Sequence, residues 1–350
     1  MNLSSEFQTQ LLKRRIDGHV HIFNPELAPD EFSVGQRFGL SRTEFQIFQQ
    51  VYRLARRIDL PDPADEIAGV VNQVLEAIPA TSRRWKGVKE LLRLYFLSTR
   101  KAVLELNDLL GRNNVSEACL LVVDGPHLKR RAVERLLSEI AGCSAAHARL
   151  RVFIPVRFWR LGVRADGIKD YPAMTPEDCF GNHLDAPIDE HVPRIVHCSP
   201  AGIRRQGMTA GMAKSWNAPW RWGNELANRQ THICLAHGGG CSAFMNWHLT
   251  GQYKGGLNWS IDNMLRDTMP GMAELPGRLW VDCAFHEDMF QADYATAVAR
   301  MQAWWNVLPG TDYPLHLPYH PYDRAVSRVN ELFPDGAAQL NRFLWRTPCP

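Results

Sequence analysis

The sequence predicts a (β/α)8 TIM barrel with a helical insertion after its first strand. Three observations predict it. Eight short apolar runs recur along the 350 residues. Helix-like stretches separate several of them, and the length suits one barrel carrying an insertion. Near-continuous apolar strands alternating with helices belong to a parallel sheet buried on both faces. Eight such units favour a closed barrel over an open doubly wound sheet. No Gly-x-Gly-x-x-Gly follows an early strand, which disfavours a dinucleotide-binding fold. Residues 1–350 therefore read as a single domain.

The runs occupy residues 15–23, 118–124, 150–158, 167–171, 194–198, 232–237, 278–283 and 305–312. Each ends near polar residues or glycine, and 167–171 is the weakest. Residues 128–140 and 293–304 carry charged and apolar residues at helical spacing. Residues 24–115 lie between the first two strands, too many for a structureless loop. Helical patterns at 41–58, 65–78 and 82–110 make this segment a helical insertion. Leaving the end of the first strand, it either covers the mouth of the barrel or buttresses its side.

Apolar residues form 45% of the chain, enough for a sizeable core, and the net charge is only +3. No basic stripe suits nucleic acid. No apolar run approaches the roughly 20 residues of a membrane span, and the first residues do not resemble a signal peptide. The eight cysteines form no C-x-x-C pair, and several sit inside apolar runs. They read as buried thiols in a reducing compartment, so the expected location is cytoplasmic. The expected partner is a small-molecule substrate, and a homodimer is compatible with the aromatic content.

The strongest local signal is His19-Val20-His21. Residues two apart in a strand face one side, so both imidazoles point into the barrel and converge on one ion. Thirteen histidines give ~0.45 such pairs by chance, so the spacing also fits two ordinary strand-end histidines. Asp17 shares the parity but lies deeper, either orienting a ligand or serving as a hydrogen-bonded core group. His197 ends the fifth run and His237 the sixth, where small residues follow and let a substrate approach the backbone. Asp312 ends the last run. A carboxylate there binds metal and accepts a proton, or is a turn aspartate before Pro314. Histidines and an acid thus fall at the ends of strands one, five, six and eight, the face on which barrel enzymes place their chemistry.

This pattern resembles the amidohydrolase superfamily, in particular its amidohydrolase-related branch of hydrolases, lactonases and non-oxidative decarboxylases. The resemblance rests on Ile16-Asp-Gly-His-Val-His21, Gly167-Ile-Lys-Asp-Tyr-Pro172, Val196-His-Cys-Ser-Pro200, Leu235-Ala-His-Gly-Gly239 and Gly310-Thr-Asp-Tyr-Pro314. It implies that His19, His21, His197 and Asp312 hold one divalent metal, zinc or alternatively manganese. It implies that Asp312 moves protons, and that His237 polarises substrate or orients water. Some members carry a carboxylated lysine bridging two metals on the fourth strand. Lys169 stands there but is followed by Asp170 where an apolar residue is expected, so one metal is the better reading. The ordinary reading of Lys169 is a strand-end lysine paired with a carboxylate or a substrate anion. The basic loop after the fifth strand carries Arg204, Arg205 and Arg221, which suit a carboxylate substrate or a solvated surface. His286 and Glu287 follow the seventh strand. The implied reaction is metal-assisted attack of water on an amide, ester or lactone carbonyl. Decarboxylation of a small acid at the same site, or a non-catalytic binding barrel, are the alternatives.

Overall fold

The structure is a computed structural model. It describes residues 14–24, 26–27, 82–126, 128–143, 147–180, 192–199, 204–205, 207–222, 233–239, 280–284, 289–304 and 306–345, with a few isolated positions between 42 and 77. Eight strands form one sheet in chain order: β1 (Arg15–Val20), β2 (Val115–Leu121), β3 (Arg149–Ile154), β4 (Gly167–Asp170), β5 (Arg194–Val196), β6 (Ile233–Leu235), β7 (Trp280–Asp282) and β8 (Asn306–Leu308). Each runs parallel to the next. A parallel bridge between Val20 and Tyr313 joins the chain after β8 to β1, so the sheet closes on itself. Helices alternate with the strands, and the fold is a (β/α)8 barrel.

The period of two along each strand sorts the core into an inside and an outside. In β2, Cys119 and Leu121 point inward, beside Ile16, Phe153, Ile195 and Cys234. Ala118 and Leu120 point outward against α2 (Thr99–Arg112) and α3 (Arg130–Ala141). The last described helix, Gly336–Trp345, closes the end at which the strands begin. Its Phe343 stacks on Phe153 at 6.3 Å and leans on Trp280 at 5.3 Å between ring centroids. The same alternation explains Asp170. It faces outward and takes two hydrogen bonds from the Arg194 guanidinium, at 2.6 and 3.1 Å. Arg194 in turn lies 5.0 Å over the Trp222 ring. An acid is tolerated at that buried position because it is paired.

The helical pattern at 82–110 resolves into two helices, α1 (Arg83–Tyr95) and α2, rather than one. Ser98 marks the restart, its Oγ accepting from the Lys101 amide at 3.3 Å. α2 lies on β2 as an ordinary barrel helix. α1 leans on the segment that follows β8. A Cβ on Gly87 would collide with the Leu317 carbonyl, and the Arg84 guanidinium sits 5.6 Å over the Tyr319 ring. Within the insertion, α1 thus rests on the rim where the strands end, while α2 packs on the side of the barrel. The patterns at 41–58 and 65–78 fall largely outside the described residues.

The β1–β8 seam positions the site. Gly18 N–H donates to the Pro309 carbonyl at 2.6 Å, Asp312 N–H to His19 O at 2.9 Å, and His21 N–H to Tyr313 O at 2.6 Å. Asp17 locks the seam from below. Its carboxylate accepts from Thr311 N (2.9 Å), Thr311 Oγ1 (2.6 Å), Tyr322 OH (3.1 Å) and His19 N (3.2 Å). It is the hydrogen-bonded core group of the two readings open to it. The two chains approach so closely that glycine is required. A Cβ on Gly310 would stand 2.7 Å from His19 Cβ and 3.2 Å from its backbone nitrogen. Gly310→Ala is therefore expected to destabilise the protein by ~1–3 kcal/mol by displacing His19. Chemical denaturation of the variant checks this; an unchanged stability would exclude a tight seam.

Candidate metal centre

The seam gathers His19, His21 and Asp312, whose ligand atoms all lie within 4.8 Å of one another. His19 Nε2 is 3.1 Å from His21 Nε2. Asp312 Oδ1 is 3.5 Å from the first and 3.4 Å from the second. Ligands at about 2.0–2.1 Å around a tetrahedral ion stand roughly 3.3–3.4 Å apart, so the triangle has the right size for one ion.

The outer nitrogens of both rings fix their tautomers. His21 Nδ1 is 2.6 Å from the Leu121 carbonyl, which only accepts, so Nδ1 carries the proton. His19 Nδ1 is 2.7 Å from Asp282 Oδ2. Burial alone would raise the Asp282 carboxyl. The hydrogen bond from the His19 ring and the cationic groups facing it outweigh that and hold it below the usual carboxylate range, so it accepts. Burial lowers the His19 pKa, partly opposed by Asp282, and keeps the ring neutral. With Nδ1 of each ring bonded outward, the two Nε2 atoms are the ring atoms turned toward each other and toward Asp312. As bare lone pairs they would repel one another unless a cation lay between them.

Asp282 is the residue that the sequence did not single out. It takes three donors: His19 Nδ1, the His237 amide at 2.6 Å and the Ala284 amide at 3.2 Å. The available signal was an acid at inward parity in the last position of a strand.

His237 and Asp312 both adopt left-handed backbone, with φ of 56° and 62°. Asn114 is the one other non-glycine residue with positive φ among the described residues. Such conformations cost energy and cluster at functional sites. The bond from the His237 amide to Asp282 holds its turn. His237 Nδ1 lies 2.9 Å from the Ala284 carbonyl and so carries the proton. Burial lowers the pKa of this ring to about 4. Its Nε2 is then an acceptor near neutral pH. It can orient water or bind an ion, and it has no proton with which to polarise a carbonyl.

His197 stands apart from the trio. Its ring stacks on Tyr171, with centroids 5.2 Å apart, and meets His237 edge-on at 5.1 Å. His237 in turn is 5.0 Å from His19. His197 does not join the three ligand atoms within 4.8 Å, so it lines the site beside His237 rather than completing the triangle. Lys169 points inward from β4 and is fully buried. Arg205 turns away to Glu177, at 2.8 and 3.0 Å, on the surface. Arg221 is engaged with Ser215 and lies over the Trp216 ring. Arg204 is half-buried. His286 and Glu287 lie outside the described residues. Among the described residues no helix is long and apolar enough to cross a membrane.

Comparison of the chain with models of known families, with curated proteins and with solved structures gives no match.

Proposed function

We propose that this barrel is a metal-dependent hydrolase of the amidohydrolase type, acting on an amide, ester or lactone carbonyl of a small molecule. One observation carries the reading: the two imidazole Nε2 atoms face each other at 3.1 Å beside the Asp312 carboxylate. His19, His21 and Asp312 would hold one divalent ion, zinc or manganese by ligand chemistry. Bound there, such an ion supplies Lewis acidity, bringing the pKa of water toward 7 and polarising a carbonyl. Asp312 takes the proton from the attacking water and returns it to the leaving group. His237 Nε2 accepts a hydrogen bond from that water and fixes its direction. Asp282 holds His19 in the ligating tautomer and braces the His237 turn.

The test is metal uptake by protein stripped with chelator. One zinc per chain is expected, with a rise in melting temperature. At an ion concentration about 1,000 times its Kd this stabilisation is ~4 kcal/mol. His19→Ala should lose both responses. Failure to bind zinc or manganese, or equal binding by His19→Ala, would exclude the site.

A second reading keeps the metal and changes the reaction. The amine of Lys169 beside the trio favours an acid substrate, which the decarboxylase alternative also takes. Metal-loaded protein incubated with aromatic carboxylic acids, with CO2 release measured against turnover of ester, lactone and amide panels, separates the two. A zinc-loaded protein inert toward all of these favours the non-catalytic barrel.

A further inference from the structure

We propose that Lys169 Nζ is the seat of an anionic group of the substrate, a carboxylate, so that the natural substrates of this barrel are carboxylic acids. This rests on the hydrolase reading and narrows its substrate class.

Three observations lead there. Lys169 has no exposure, and among the described residues its Nζ has no hydrogen-bond partner. An ammonium in that condition is costly, because its three donors have lost water and gained no hydrogen bond. Its position is also specific. The Nζ lies 5.1 Å from the centroid of Tyr171, the ring that stacks on His197. It interacts electrostatically with His19, His237, Asp282 and Asp312, the groups assembled around the metal triangle. The charge balance points the same way. Asp282 and Asp312 match the two charges of a divalent ion, and the imidazoles are neutral. A protonated Lys169 would then be surplus and would call for a monoanion. Burial lowers the Lys169 pKa, with Asp282, Cys234 and Asp312 opposing it, as expected of an amine that lacks its counter-ion.

The loop arginines do not fill this role as well. Arg205 is engaged with Glu177 and Arg221 with Ser215, both toward the surface. Lys169 sits on a strand inside the barrel, where its stem is held by the sheet. A carboxylate there would receive a charge-assisted hydrogen bond in a water-poor setting. The bonded end of the substrate would be fixed, and its carbonyl presented to the metal triangle.

The experiment pairs acids with neutral amides of the same shape, acetate with acetamide and benzoate with benzamide. Each is titrated into zinc-loaded full-length protein and followed by NMR. Wild type is expected to prefer the acids. Lys169→Met should weaken acid binding by about 10- to 100-fold while leaving the amides unchanged. The variant removes an amine that burial penalises, so it is expected to melt no lower than wild type; Lys169→Gln serves as a second replacement. Equal binding of the acids by wild type and both variants overturns the proposal. So does a wild type that binds none of the acids, or that fails to distinguish acids from amides. Zinc content of the same samples separates the two readings. If wild type takes up no zinc, the hydrolase reading fails. The same titration into metal-free protein then decides the Lys169 seat with the same outcomes.

Discussion

Asp312→Asn is expected to cut turnover by about 10²- to 10⁴-fold while the protein stays folded and still takes up metal, more weakly. Asparagine keeps an oxygen that can ligate but cannot accept the proton of the attacking water. The substitution is a clean one for a conformational reason. Asp312 sits at φ 62°, a left-handed geometry that asparagine tolerates and that most other residues resist. Asp312→Ala would mix backbone strain with the loss of chemistry. The measurement is turnover on whichever ester, lactone or amide wild type accepts, with metal content determined on the same sample. Full turnover at full metal occupancy would remove Asp312 from proton transfer. Lost turnover with no bound metal would limit it to ligation.

Asp282→Asn is expected to lower zinc affinity by about 10- to 100-fold without Asp282 touching the ion. In the wild type Oδ1 accepts from the His237 and Ala284 amides, and Oδ2 from His19 Nδ1. An asparagine that keeps the two backbone donors on its oxygen turns its amide NH2 toward His19 Nδ1. That ring nitrogen must then accept, and the imidazole proton moves to Nε2. It points at the place where the ion would sit. The effect is on tautomer, not on packing, so zinc calorimetry should fall while the melting temperature of metal-free protein changes little. Asp282→Ala separates the two contributions. It leaves buried amide and imidazole donors unpaired and should destabilise the fold by ~3–5 kcal/mol. Zinc affinity unchanged in Asp282→Asn would mean that His19 needs no such brace.

The barrel itself was legible because its signal is local. Each apolar run is a strand whose two faces are both buried, and the weak fourth run became β4 in the expected place. The helix break at Ser98 carried its own sign, a capping serine, within a pattern that otherwise reads as continuous. His19 and His21 were legible from parity alone. Their meeting with Asp312 was expected from the shared strand-end face and the family resemblance rather than from parity, because it depends on closure of the ring between β1 and the chain beyond β8. Asp282 escaped notice for the same reason. Its three partners come from β1, from the turn after β6 and from its own strand end. Asp170 looked out of place until its outward direction and Arg194 were known. The direction of Arg205 was not legible either, since a basic residue near a strand end says nothing about which way it turns, and it pairs with Glu177.

The seam between β1 and residues 309–313 also has a consequence for the order of events at synthesis. The His-Val-His segment leaves the ribosome long before the acid that completes the triangle. Until then the early imidazoles have no third ligand and no brace from Asp282. If the triangle holds an ion as proposed, a growing chain would offer it only a weak two-point hold. Stable loading would then wait for the contact between β1 and the chain beyond β8, whose large sequence separation makes it slow to form.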